Sequence, residues 1–177
     1  TLNANMTGAG EAHSAYLIID NSEATFDNVV MKADSSGSFA IGLLMFNNTK
    51  ANIMNNSTIT ATMTGSGTSS GIQTVQSSSA SVTNSQITSI SSGSRAYGIL
   101  TRDDRLPVLS SVSLSNSNVK VIMNGSGLTQ ALSNNGAGSA INFTNGRIDI
   151  TGPASSSING GNNPSGISFN GSNQCTI

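Results

Sequence analysis

The chain has little of what most domains of its length are built from. Among 177 residues there are one cysteine, three prolines and no tryptophan, and aromatic and charged side chains make up only 4% and 8%. A lone Cys175 excludes an internal disulfide, and with His13 as the only other soft ligand it excludes a zinc-thiolate site. Seven basic residues scattered through a chain of net charge -1 leave no stripe for nucleic acid and no polybasic membrane patch. No apolar run approaches the ~20 residues of a membrane-spanning helix. No cofactor and no metal site are expected.

What is there is small and polar. Ser 32, Thr 17, Asn 22 and Gly 19 supply 90 of the 177 residues. Such a mix reads as disorder when it comes with high charge and few β-branched residues, whereas this chain is 36% hydrophobic. It is expected to fold as one unit over residues 1–177, and the scarcity of helix formers favours β structure. The start at Thr1, without an initiator Met or an apolar leader, reads as a processed product or an excised piece. Because LNANMTGAG matches the end of a repeat, a fragment of a longer array is expected, with self-association through exposed coil edges or faces.

Internal repeats decide the architecture. The segments SASVTNSQITSI around Val82, SVSLSNSNVKVI around Leu114 and AINFTNGRIDI around Phe143 share one pattern of alternating apolar positions, an Asn corner and a β-branched run. EATFDNVVMKA at Phe26 fits without a gap; ANIMNNSTITA at Ile53 and ISFNGSNQCTI at Phe169 fit with one extra residue. A second motif precedes each copy, at Leu17, Leu43, Ile72, Ile99, Leu132 and Ile158, with gaps of 26, 29, 27, 33 and 26 residues. Glycine-rich links such as MTGSGTSS and MNGSGLTQ join the motifs.

Period-2 alternation sends one set of side chains inward and the other outward. The pattern therefore predicts an all-β parallel β-solenoid of about six coils of about 28 residues, with three short strands per coil. Val82, Ile87, Leu114, Val119, Val121, Phe143, Ile148 and Ile150 should share one interior, and Ser117 should face outward. Asn28, Asn55 (or Asn56), Asn84, Asn116 and Asn145 each stand at a corner with no room for a loop, where Asn tolerates a left-handed backbone. Their stacked amides are expected to form a structural ladder along the rod.

The cadence AYGIL, then SVSLSNSNVKV, then NGSG resembles the right-handed parallel β-helix of bacterial autotransporter passengers and surface adhesins. The likeness covers nearly the whole chain and concerns structural positions shared with polysaccharide lyases and phage tailspikes. It implies a right-handed coil, secretion or display on the bacterial cell surface, and a rod that presents binding surfaces.

Chemistry-bearing residues are few. His13 reads as a loop histidine rather than the base of a serine site, and no nucleophile elbow is present. TGSGT and NGSGL lack the Gly-Lys-Ser/Thr ending of a phosphate loop and read as turns. The one dense charge cluster, TRDDRLP at residues 101–107, lies in the longest repeat, so Arg102, Asp103, Asp104 and Arg105 are placed on an inserted, projecting loop with Arg95 near in sequence. These four are the candidate binding residues. The sequons at Asn5, Asn56 and Asn142 carry no weight in a chain this rich in Asn, Ser and Thr.

The first expectation for function is a non-enzymatic adhesive segment whose Ser/Thr/Asn faces meet glycans, matrix or cell-surface proteins. The second, of a different class, is a carbohydrate-active lyase or hydrolase using paired carboxylates of the TRDDR loop.

Overall fold

A computed structural model describes residues 1–17, 20–102, 109–135, 138–153, 157–159 and 167–176. The described residues form 19 strands that alternate strictly among three parallel sheets. The first sheet stacks β1 (Leu2–Met6), β4 (Val30–Ser35), β7 (Thr58–Met63), β10 (Gln86–Ser91), β13 (Asn118–Met123), β16 (Arg147–Thr151) and β19 (Gln174–Thr176). The second stacks β2 (Glu11–Leu17), β5 (Phe39–Met45), β8 (Thr68–Val75), β11 (Arg95–Arg102), β14 (Leu128–Asn134) and β17 (Ser157–Asn159). The third stacks β3 (Glu23–Asp27), β6 (Lys50–Met54), β9 (Ser79–Thr83), β12 (Ser111–Ser115), β15 (Ala140–Thr144) and β18 (Ile167–Asn170). The chain is thus an all-β parallel β-solenoid, three strands to a coil. Strands of the first sheet recur every 29, 28, 28, 32, 29 and 27 residues. At the ~4.8 Å spacing of paired strands, six such steps make a rod about 30 Å long.

The interior is a set of columns, because parallel in-register pairing puts like side chains above one another. Phe26, Ile53, Val82, Leu114, Phe143 and Phe169 occupy consecutive rungs of one column. Met31, Ile59, Ile87, Val119 and Ile148 form a second. All eight residues expected to point inward are buried and belong to one continuous core. In the second sheet Leu43, Ile72, Ile99 and Leu132 share a column. The first coil corrects the expected alignment there: Ala15, not Leu17, pairs with Leu43. In this register the Ser14 hydroxyl donates to the carbonyl of Gly42.

The glycine of the IGL, SGI and YGI motifs also has a physical cause. A Cβ on Gly71 would overlap Ile87 Cγ2 and lie 2.6 Å from the Gly98 carbonyl oxygen, so the second sheet can approach the first only where a side chain is missing.

Candidate functional site

The asparagine corner joins the third sheet to the first. Asn28, Asn55, Asn84, Asn116 and Asn145 have φ of 51°, 55°, 48°, 49° and 50°, the left-handed region. The extra residue of the second coil is absorbed by a second left-handed asparagine, Asn56 at 64°. In the last coil Gly171, at 72°, takes the corner one residue after Asn170. Rung-to-rung bonds at this corner run through the backbone, where the N–H groups of Asn56, Asn84 and Asn116 donate to the carbonyls of Asn84, Ser115 and Thr144 at 2.8, 3.1 and 3.0 Å, and through the side chains of Asn55, whose Nδ2 donates to Asp27 Oδ1 at 2.8 Å, and of Asn145, whose Oδ1 accepts Ser172 N–H at 2.8 Å. The exposed Asn side chains edge an open polar groove of about 480 Å³ that also takes in Gln86 and Asn118.

Directly behind the asparagines runs a buried column that the outward placement of Ser117 missed. The Ser57 hydroxyl accepts Val29 N–H at 3.0 Å and the Ser117 hydroxyl accepts Ser85 N–H at 3.2 Å. One coil further, Asn173 Oδ1 receives Gly146 N–H at 3.0 Å. Ser117 is 1% exposed. It points inward because the left-handed residue before it breaks the strand alternation, so the period of two restarts after the corner.

A second left-handed corner, at Asn21, Asn47, Asn48, Gln76 and Ser77, was not expected. There an amide pair does bridge rungs, Asn48 Nδ2 donating to Asn21 Oδ1 at 2.6 Å. Its signal in the sequence was the Asn-Asn pair alone, because Gln and Ser rarely mark such a backbone.

Of the charged loop, Arg102 closes β11, half-buried. Asp103, Asp104 and Arg105 lie outside the described residues. The repeat spacing locates the insertion: β9 to β12 is 32 residues, against 27 for β3 to β6 and 29 for β6 to β9. Arg95 stands at the opposite end of the same strand and is exposed.

His13 is a strand residue, not a loop residue. It sits in β2 with Nε2 3.1 Å from a Glu11 carboxylate oxygen and its ring edge-on to Tyr16 at 5.2 Å. The adjacent Ser14 hydroxyl is engaged by the Gly42 carbonyl. Among the described residues no three His, Cys, Asp or Glu side chains cluster to hold a metal, and no helix is long and apolar enough to cross a membrane.

On the outer face of the first sheet Arg147 Nε reaches both oxygens of Asp149, at 2.9 and 2.8 Å. That hydrogen bond holds the Asp149 carboxyl below the usual carboxylate range. Burial, with a smaller contribution from Asp149, pushes the Cys175 thiol up, disfavouring the reactive thiolate.

Comparison with known proteins finds no matching family, no matching curated protein and no matching solved structure.

Proposed function

We propose that the chain is a non-enzymatic adhesive segment of a secreted or bacterial cell-surface rod, binding glycans through its polar faces, in the manner of autotransporter passengers and surface adhesins. One observation carries the reading. On the outer face of the third sheet Asn52, Ser81, Ser113, Asn142 and Ser168 stand on consecutive rungs. Asn142 Nδ2 donates to Ser113 Oγ at 3.4 Å and Ser168 Oγ donates to Asn142 Oδ1 at 2.6 Å. A row of hydroxyl and amide groups repeating at ~4.8 Å suits a ligand that is itself a repeating, polyhydroxylated chain.

The test is a glycan panel probed with the whole chain, with the same polysaccharides assayed for new reducing ends and unsaturated products. Saturable binding without product is expected. Product formation that stops on Asp103→Asn with Asp104→Asn would replace this reading with the carbohydrate-active one.

A further inference from the structure

The outer face of the second sheet departs from the polar habit of the other two. Along β11 the outward side chains are Arg95, Tyr97, Leu100 and Arg102. In the coil before, Thr68 pairs with Arg95 and Gln73 with Leu100; in the coil after, Asn135 completes the lining. Together with Phe39 they shape a groove of about 260 Å³. Its floor is largely shielded, Tyr97 being 5% and Leu100 4% exposed, while Arg95 stands out at the rim. Next to it Ile41, Leu44 and Val75 form an apolar cluster with Phe39 and Phe46.

Two features narrow the ligand. No carboxylate is among the described lining residues, and Arg95 makes no ion pair with a described residue, so its guanidinium stands at the rim ready to meet an anionic group. Moreover β8, β11 and β14 are paired to one another along their length, which leaves no backbone edge for an extended peptide to join. Recognition must come from side chains: flat apolar surface, amide and hydroxyl groups, and guanidinium forks suited to carboxylate or sulfate.

We propose that this groove binds an anionic glycan lying along β11, over a floor closed by Tyr97, Leu100 and Gln73, with its hydroxyls on Thr68 and Asn135 and an acidic substituent on Arg95. Arg95 and Arg102 are seven residues apart, about 23 Å in strand geometry, so the site spans several sugars. The proposal rests on the reading of the chain as a glycan binder and adds to it the site and the charge of the ligand.

The experiment is calorimetric titration of the whole chain with four hexamers: hyaluronan (carboxylate), chondroitin sulfate (carboxylate and sulfate), maltohexaose (uncharged) and hexaglutamate (acidic peptide). The expected result is binding of one or both anionic sugars, weakened by added salt, with hexaglutamate and maltohexaose inert. Hyaluronan binding would identify carboxylate as sufficient; chondroitin sulfate alone would identify sulfate. Arg95→Glu should weaken binding at least tenfold, and Arg147→Glu, on another sheet, should leave it unchanged. Because Arg95 is exposed, an unchanged circular dichroism melt is expected for the variant. Equal binding by Arg95→Glu, or hexaglutamate binding as tightly as the sugars, would overturn the site. Binding of maltohexaose alone would overturn it while leaving the general glycan reading intact, and silence of every sugar would overturn both.

Discussion

The hydroxyl of Ser117 accepts the backbone N–H of Ser85 at 3.2 Å, tying two consecutive coils together from inside the asparagine corner. The same hydroxyl donates to the Ser115 carbonyl at 2.8 Å. Both serines are buried, so the bond is made out of water's reach. Removing it leaves the Ser85 N–H without a partner where desolvation is complete, a loss of about 1–3 kcal/mol. Ser117→Ala should therefore lower the denaturant midpoint clearly, while Ser113→Ala, on the exposed face of the preceding strand, should shift stability by under about 0.5 kcal/mol. Equal effects would mean that the corner serines are not structural.

The inward columns make a harsher prediction. Val119 is 1% exposed between Ile87 and Ile148. Val119→Asp or Ile148→Asp places an unpaired carboxylate in the column and should cost several kcal/mol. Thr88→Asp, one residue from Ile87 but on the outer face, should cost under about 1 kcal/mol, the span of strand propensities. Chemical denaturation of the three variants separates them.

This division between inside and outside was readable in the sequence because alternation is a local signal, repeated coil after coil. The six-rung column from Phe26 to Phe169 follows from aligning the copies. Ser117 was not readable, since the left-handed Asn116 resets the alternation and no composition rule marks the reset. The apolar outer face of the second sheet was hidden for another reason. FAIGLLMF is apolar at both parities, and a reading that assigns one parity to the core has no place for Phe39, Ile41 and Leu44. Its floor of Tyr97 and Leu100 was legible only as part of the YGI motif that fixes the interior.

The asparagine corner yields a test of backbone strain. At Asn84, with φ of 48°, a residue without a short polar side chain meets the left-handed penalty of about 1–2 kcal/mol. Asn84→Ala should lower the melting temperature by several degrees. Asn84→Gly should recover most of that loss, because glycine enters this region freely. Identical melts for the two variants would show that the amide, not the backbone, is what the corner needs.

Gly71 gives the opposite case, in which space and not φ is limiting. Its missing Cβ would overlap both Ile87 Cγ2 and the Gly98 carbonyl oxygen. Gly71→Ala should cost about 1–3 kcal/mol as overpacking. Shortening the facing side chain with Ile87→Val relieves at most one of the two overlaps, so the double variant should stay well below wild type by denaturant midpoint. Full rescue would show that the sheets separate easily at this seam.

The last prediction concerns the insertion between β11 and β12. Its extra residues fall within one rung, and the pairing on either side of it is unbroken: β8, β11 and β14 stay in register, as do β9, β12 and β15. A coil held by both neighbours does not depend on the length of its corner, so replacing residues 103–108 by a short Gly-Ser link should leave the melting temperature within a few degrees of wild type. Arg102 remains in the shortened chain as the end of β11. The deletion therefore separates two sources of positive charge: binding of anionic sugars that survives it belongs to the groove of Arg95, and binding that disappears with it belongs to Arg105, the one cation among the replaced residues. Survival is the expected outcome, since the groove as described is complete without them.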